Sequence, residues 1–176
     1  MTFKSISLLP LVAILLLAAM PLKAANQGTV QAVIPWEAEG RVFQIDSRRV
    51  QFLGALEGVM YIENSKGEMH EAFVQCPIIQ MMDLETGVTE AFGHCEITAG
   101  PEDVAYAQMS CKGQVGDCAG KFILIDGEGE FAGISGQGGL RVRSPLHALA
   151  ADLGSGALVR VAAGIAIIKD LKFSTP

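Results

Sequence analysis

Four cysteines, Cys76, Cys95, Cys111 and Cys118, carry the most reactive side chains of this 176-residue chain. An even number suits two disulfides if the chain matures in an oxidising compartment, and four cysteines allow three pairings. If residues 70–79 and 90–98 form a hairpin about 84–87, Cys76 and Cys95 sit symmetrically about its turn and face each other across two strands. Cys111 and Cys118 straddle the turn signal at 113–116 in the same way and close a short loop. Pairing Cys95 with Cys111 about Pro101 is also symmetric, but it leaves Cys76 and Cys118 on distant strands. The expected pairing is therefore Cys76–Cys95 with Cys111–Cys118. The same stretch holds Met69-His70, Met81-Met82, His94-Cys95 and Met109, soft ligands of the kind copper takes. None recurs at a ligand spacing such as Cys-x-x-Cys, and paired methionines commonly fill cores, so no metal is assigned.

Other chemistry is sparse. No Gly-x-Ser-x-Gly elbow surrounds Ser135 or Ser155, and His70, His94 and His147 stand in separate segments with no neighbouring serine or aspartate. They read as surface or rim residues. The acid–base candidates that remain are Glu57 or Glu63 as a carboxylate inside a lumen, with Tyr61 or Tyr106 polarising the reacting group. Asp126, Glu128 and Glu130 alternate and would share one face of a strand. Without the glycine and ligand order of a calcium loop, they read as a solvated acidic edge. Gly127, Gly129 and Ala132 satisfy Gly-x-Gly-x-x-Ala, but Gly133, Gly136, Gly138 and Gly139 cannot open a helix behind them, and the three carboxylates would repel a pyrophosphate. No cofactor is assigned.

These residues sit in a chain that begins with an export pattern. Lys4 precedes an uncharged apolar run over 6–20, followed by Lys23 and the small pair Ala24 and Ala25. That is a signal peptide over 1–24, too short to span a membrane, with no cysteine at the cleavage point to carry a lipid. The expected product is periplasmic or secreted. Loss of Lys4 and Lys23 leaves eleven basic against nineteen acidic residues, a net charge of −8. An acidic chain lacks the excess cations that nucleic acid or anionic lipid demands.

The mature part is punctuated by glycine and proline and shows no long amphipathic helix. Short alternating runs at 41–46, 50–56, 59–64, 70–79, 89–98, 104–111, 121–126, 139–143 and 158–168 predict strands, with one short helix expected over 145–153. In the fifth run Ala91, Gly93, Cys95 and Ile97 share the buried face. In the last, Val159, Val161, Ile165 and Ile167 share one face and the other is mostly small or apolar, so this strand is expected to be central or seam-forming. The fold class expected is all-β, a closed antiparallel β-barrel of about eight strands over 41–176, preceded by an N-terminal extension over 25–40. A membrane-spanning barrel is disfavoured by charges on the outward faces and by the lack of an aromatic girdle.

Residues 126–136 read Asp-Gly-Glu-Gly-Glu-Phe-Ala-Gly-Ile-Ser-Gly. This segment resembles the Gly-Gly-Thr/Ser-Gly-x-Phe-x-Gly-x-x-Gly stretch of the allene oxide cyclase and dirigent-like barrels, including exported bacterial relatives. Gly127, Gly129, Phe131, Gly133 and Gly136 carry the match, with Asp126 and Glu128 departing from it. The glycines would permit tight bends at a strand junction, and Phe131 would supply a buried plug. The resemblance implies an eight-stranded barrel with an apolar lumen, assembled as a dimer or trimer, acting without metal or organic cofactor. Two functions follow: a non-catalytic exported barrel holding a small apolar ligand or a partner protein, or a cofactor-independent cyclase or isomerase of a hydrophobic substrate. A lumen filled by the chain's own side chains would exclude both small-molecule readings.

Overall fold

Alternation of apolar and polar residues runs through the strands of the chain, and a sheet with one dry face must bury it. A computed structural model describes residues 26–145 and 158–176, without the side chains of 158–161. Eight strands follow in chain order: β1 Asn26–Gln44, β2 Arg49–Asn64, β3 Met69–Asp83, β4 Val88–Thr98, β5 Val104–Gln114, β6 Asp117–Glu128, β7 Ser135–Arg143 and β8 Leu158–Thr175. Each pairs antiparallel with the next, and β8 returns to pair with β1, so the sheet closes into a barrel without free edges. The export segment 1–24, His147 and nearly all of the helix expected over 145–153 lie outside the described residues.

Inward residues fill the lumen. Phe122, Met60, Ile168, Val42, Val50 and Val74 are almost fully buried, with Trp36, Phe52, Leu56, Leu124 and Leu140 packed among them. The single buried polar side chain described, Thr89, donates to the Met81 carbonyl at 3.0 Å and accepts from Gln80 Nε2 at 2.8 Å.

All four cysteines also point inward and form Cys76–Cys95 and Cys111–Cys118, as the turn symmetry requires. The β3–β4 register runs Gln75↔Glu96 and Ile78↔Gly93, which places Cys76 directly opposite Cys95, with Cα atoms 4.1 Å apart. Cys111 and Cys118 meet diagonally, because Cys111 is paired with Gly120 and Cys118 with Gly113. Two buried disulfides suit folding in an oxidising compartment.

The inner wall also carries glycines, and rings occupy the space they leave. Gly40 and Gly54 are register partners, and the Phe52 ring lies over both; a Cβ on Gly40 would stand 2.7 Å from Phe52 Cε2. Trp36 is flanked by its partners Gly58 on β2 and Gly164 on β8. A Cβ on Gly164 would stand 2.6 Å from Trp36 Cζ2 and would also collide with the Arg143 carbonyl oxygen. Such ring-on-glycine packing lets a narrow barrel hold large aromatic side chains.

This packing corrects two expectations. Residues 26–40 are not an extension ahead of the barrel; they belong to β1, because Gly40 is an inward position and not the end of a linker. The runs at 50–56 and 59–64 are one strand, β2, since Gly58 is an inward strand position closed against the Pro35 carbonyl and Ile34 of β1 and does not turn the chain. β8 forms the seam, as expected, pairing with both β7 and β1; its lumen face carries Ala162, Ala166, Ile168 and Leu171, while Ile165 and Ile167 point outward.

Substituting Gly164 with alanine should therefore lower stability in denaturant titration by about 1–3 kcal/mol, the usual cost of overpacking. Gly139→Ala is the control, because a Cβ there meets only one atom, at 4.0 Å. Equal midpoints for the two variants would contradict the packing described.

Candidate functional site

The acid–base candidates all lie on the outside. Glu57, Glu63 and Tyr61 are exposed on β2, and Tyr106 is half-buried on the outer wall of β5. The parity of the strands explains this: Leu56, Met60 and Ala105 point inward, so their neighbours Glu57, Tyr61 and Tyr106 must point out. No two of the four form the lumen pair that acid–base chemistry on an enclosed substrate requires. Glu57 accepts a hydrogen bond from Gln75 Nε2 at 2.6 Å. The Tyr106 hydroxyl donates to Glu128 Oε1 at 2.7 Å.

The soft side chains are separated in the same way. Met82 and Met109 are inside, Met69, His70 and His94 are outside, and the cysteine sulfurs are tied in disulfides. Phe92 meets His94 edge to face, with ring centroids 5.1 Å apart. Among the described residues, no three His, Cys, Asp or Glu side chains gather as a metal group.

The glycine segment connects β6 to β7 at the end of the barrel that also carries the β4–β5 turn. It forms a 3-10 turn, Gly129–Phe131, in which Gly129 has φ 62°. A Cβ there would strike the Glu102 carbonyl and the Asp103 carboxylate, so only glycine fits. Asp103 Oδ1 accepts from the Glu130 N–H at 2.8 Å and ties the two connections together. Phe131 is half-buried against the core, and the plug at this end is Ile134, 6% exposed. Asp126 is exposed and hydrogen-bonded to the Gly127 N–H, and Glu128 holds Tyr106.

Three spaces stand out among the described residues. A shallow one of about 380 Å³ opens at the rim, lined by Gly116, Arg143, Ser144, Pro145, Gly164 and Ile165. Of the other two, one, of about 50 Å³, lies inside the opposite end, lined by Trp36, Gln80, Thr89, Gln114 and the Cys111–Cys118 bridge. It is several-fold smaller than an organic-ligand pocket, which begins at about 300 Å³. The Trp36 indole N–H is buried with no hydrogen-bond partner among the described residues. The other is a groove of about 620 Å³ on the outer wall, formed by β8, β1, β2 and the edge of β3. Ala55 and Ala163 line it, Val59 and Phe73 form an apolar flank, and Glu37, Glu39 and Glu57 supply charge. Val59 is 39% and Phe73 49% exposed, so this flank is open to solvent.

The groove was not legible in the sequence. Its residues come from four strands, and their alignment depends on register: Glu37 pairs with Glu57, Glu57 with Gln75 and Val59 with Phe73. The short side chains Ala55 and Ala163, set among longer neighbours, are the one local signal. No family model, curated protein or solved structure matches the chain.

The hydrogen bond to Glu128, followed by burial, raises the Tyr106 pKa above the usual tyrosine value. The contact is intact while the phenol is neutral and is lost as pH rises through the raised value. Glu128→Gln should shift one of the two tyrosine titrations to lower pH, read from the near-ultraviolet phenolate band. Unchanged titration of both tyrosines would contradict the pairing.

Proposed function

We propose that the chain is a non-catalytic exported β-barrel, periplasmic or secreted, that works by binding a partner protein on its outer wall. The observation that carries this reading is the lumen, which is packed with the chain's own rings and aliphatic side chains. A cyclase or isomerase needs a reacting group held against a positioned acid or base. Here Glu57, Glu63, Tyr61 and Tyr106 face solvent or lie along the wall, where water competes for every hydrogen bond. The glycine segment and the eight-stranded meander support kinship with the allene oxide cyclase and dirigent-like barrels, and we propose that kinship without their chemistry.

Photo-crosslinking in the exported fraction tests the reading. A benzophenone side chain replacing Phe73 should give a discrete protein adduct, and one replacing Lys121, on β6 across the barrel, should not. Native mass spectrometry of the purified protein with oleate should show only the bare chain. A stoichiometric oleate complex lost in a Trp36→Ala variant would overturn the proposal and restore the lumen as the working site.

A further inference from the structure

We infer that the groove over β8, β1 and β2 is the docking site for a basic segment of the partner that carries apolar side chains between its cations. This inference rests on the outer-wall reading and adds the chemistry of the occupant. Its starting point is the register of the outer wall. Glu37 pairs with Glu57, Glu57 with Gln75, Gln75 with Glu96, Glu96 with Tyr106 and Tyr106 with Asp126. One row of the wall, crossing six consecutive strands, is thus made of carboxylates and their hydrogen-bonding neighbours and contains no cation.

Adjacent strands lie about 4.8 Å apart, so this belt spans about 24 Å around the barrel. Beside its β1–β3 part the neighbouring row is apolar, with Val59 paired to Phe73 and Pro35 next to them in the groove. At its β1–β2 end the belt enters the groove, where Glu37 and Glu57 face each other across neighbouring strands. Like charges so placed repel. Among the described residues, no Lys, Arg or His comes within 4.0 Å of either carboxylate. The arginines of the β1–β2 turn are held elsewhere, Arg49 by Asp46 and Arg48 by Asp83 and Glu85, while Arg41, four residues along β1 from Glu37, makes no ion pair among the described residues.

A lysine or arginine brought to Glu37 and Glu57 relieves that repulsion, and an aliphatic side chain beside it covers Val59 and Phe73. A segment of about seven extended residues is long enough to follow the belt. Strand addition is not available to the ligand, because the closed barrel has no free edge. Recognition must come from side chains. A second copy of the chain is a poor occupant, since both copies present the same net negative charge.

The test uses the mature, disulfide-bonded chain and a fluorescent synthetic peptide of about seven residues in which lysine alternates with leucine. Two control peptides replace leucine with serine or lysine with glutamate. The lysine–leucine peptide should bind at low salt and weaken as salt rises, and both controls should bind at least about tenfold more weakly, the equivalent of about 1.4 kcal/mol. Glu37→Gln with Glu57→Gln, and separately Phe73→Ser, should each reduce affinity by a similar factor. Glu85→Gln with Glu90→Gln, on the β3–β4 hairpin at the end of the barrel away from the belt, should leave it unchanged. Equal losses from the two glutamate pairs would show unspecific charge attraction and overturn the inference. So would the absence of peptide binding, or a self-association removed by Phe73→Ser. In each of these cases the photo-crosslinking result decides independently whether the outer wall binds a partner at all.

Discussion

The packing of a few large rings against inward glycines is the constraint on which the rest of the barrel depends. An eight-stranded barrel is just wide enough for side chains to fill it. Phe52 over Gly40 and Gly54, and Trp36 against Gly164, meet that limit by giving the rings space that any other residue would occupy. Phe173 repeats the arrangement at Gly28, where an added Cβ would stand 2.9 Å from the ring. Because these glycines lie on three adjoining strands, the rings they admit also join the first strand to the last. Closure and core packing are therefore one event.

A filled interior determines where function can lie. The inner wall has used its alternate positions for packing and for two disulfides, leaving a space of about 50 Å³. Alternation then delivers every charged candidate to the other side. The outer wall is long, covers all eight strands, and its chemistry is organised in rows that run across strands. An acidic row next to an apolar one arises only once β1 to β6 are in register, and each residue of it is separated from the next by a whole hairpin.

This explains what was legible in the chain and what was not. The class of fold, the strand-rich organisation and both disulfides followed from alternation and from turns symmetric about the cysteines. Ala91, Gly93, Cys95 and Ile97 do face inward, as their spacing indicates. The same rules failed where glycine served packing instead of turning. Gly40 hid the first fifteen residues of β1, and Gly58 split β2 in two. The site failed for a related reason: Glu57 and Tyr106 are placed by strand parity, which a single-residue error in a strand's start inverts. Nothing short of register could reveal that Glu37 and Glu57 are neighbours.

An outer-wall function requires the interior to be full, and a crystal structure under xenon pressure tests that most directly. Xenon enters apolar cavities of about 150 Å³. With the interior packed as described, no xenon should bind among Trp36, Phe52, Met60 and Phe122, and Trp36 should lie against Gly164. Xenon at high occupancy between those side chains, or ordered ligand density in their place, would contradict the account and return the functional site to the lumen.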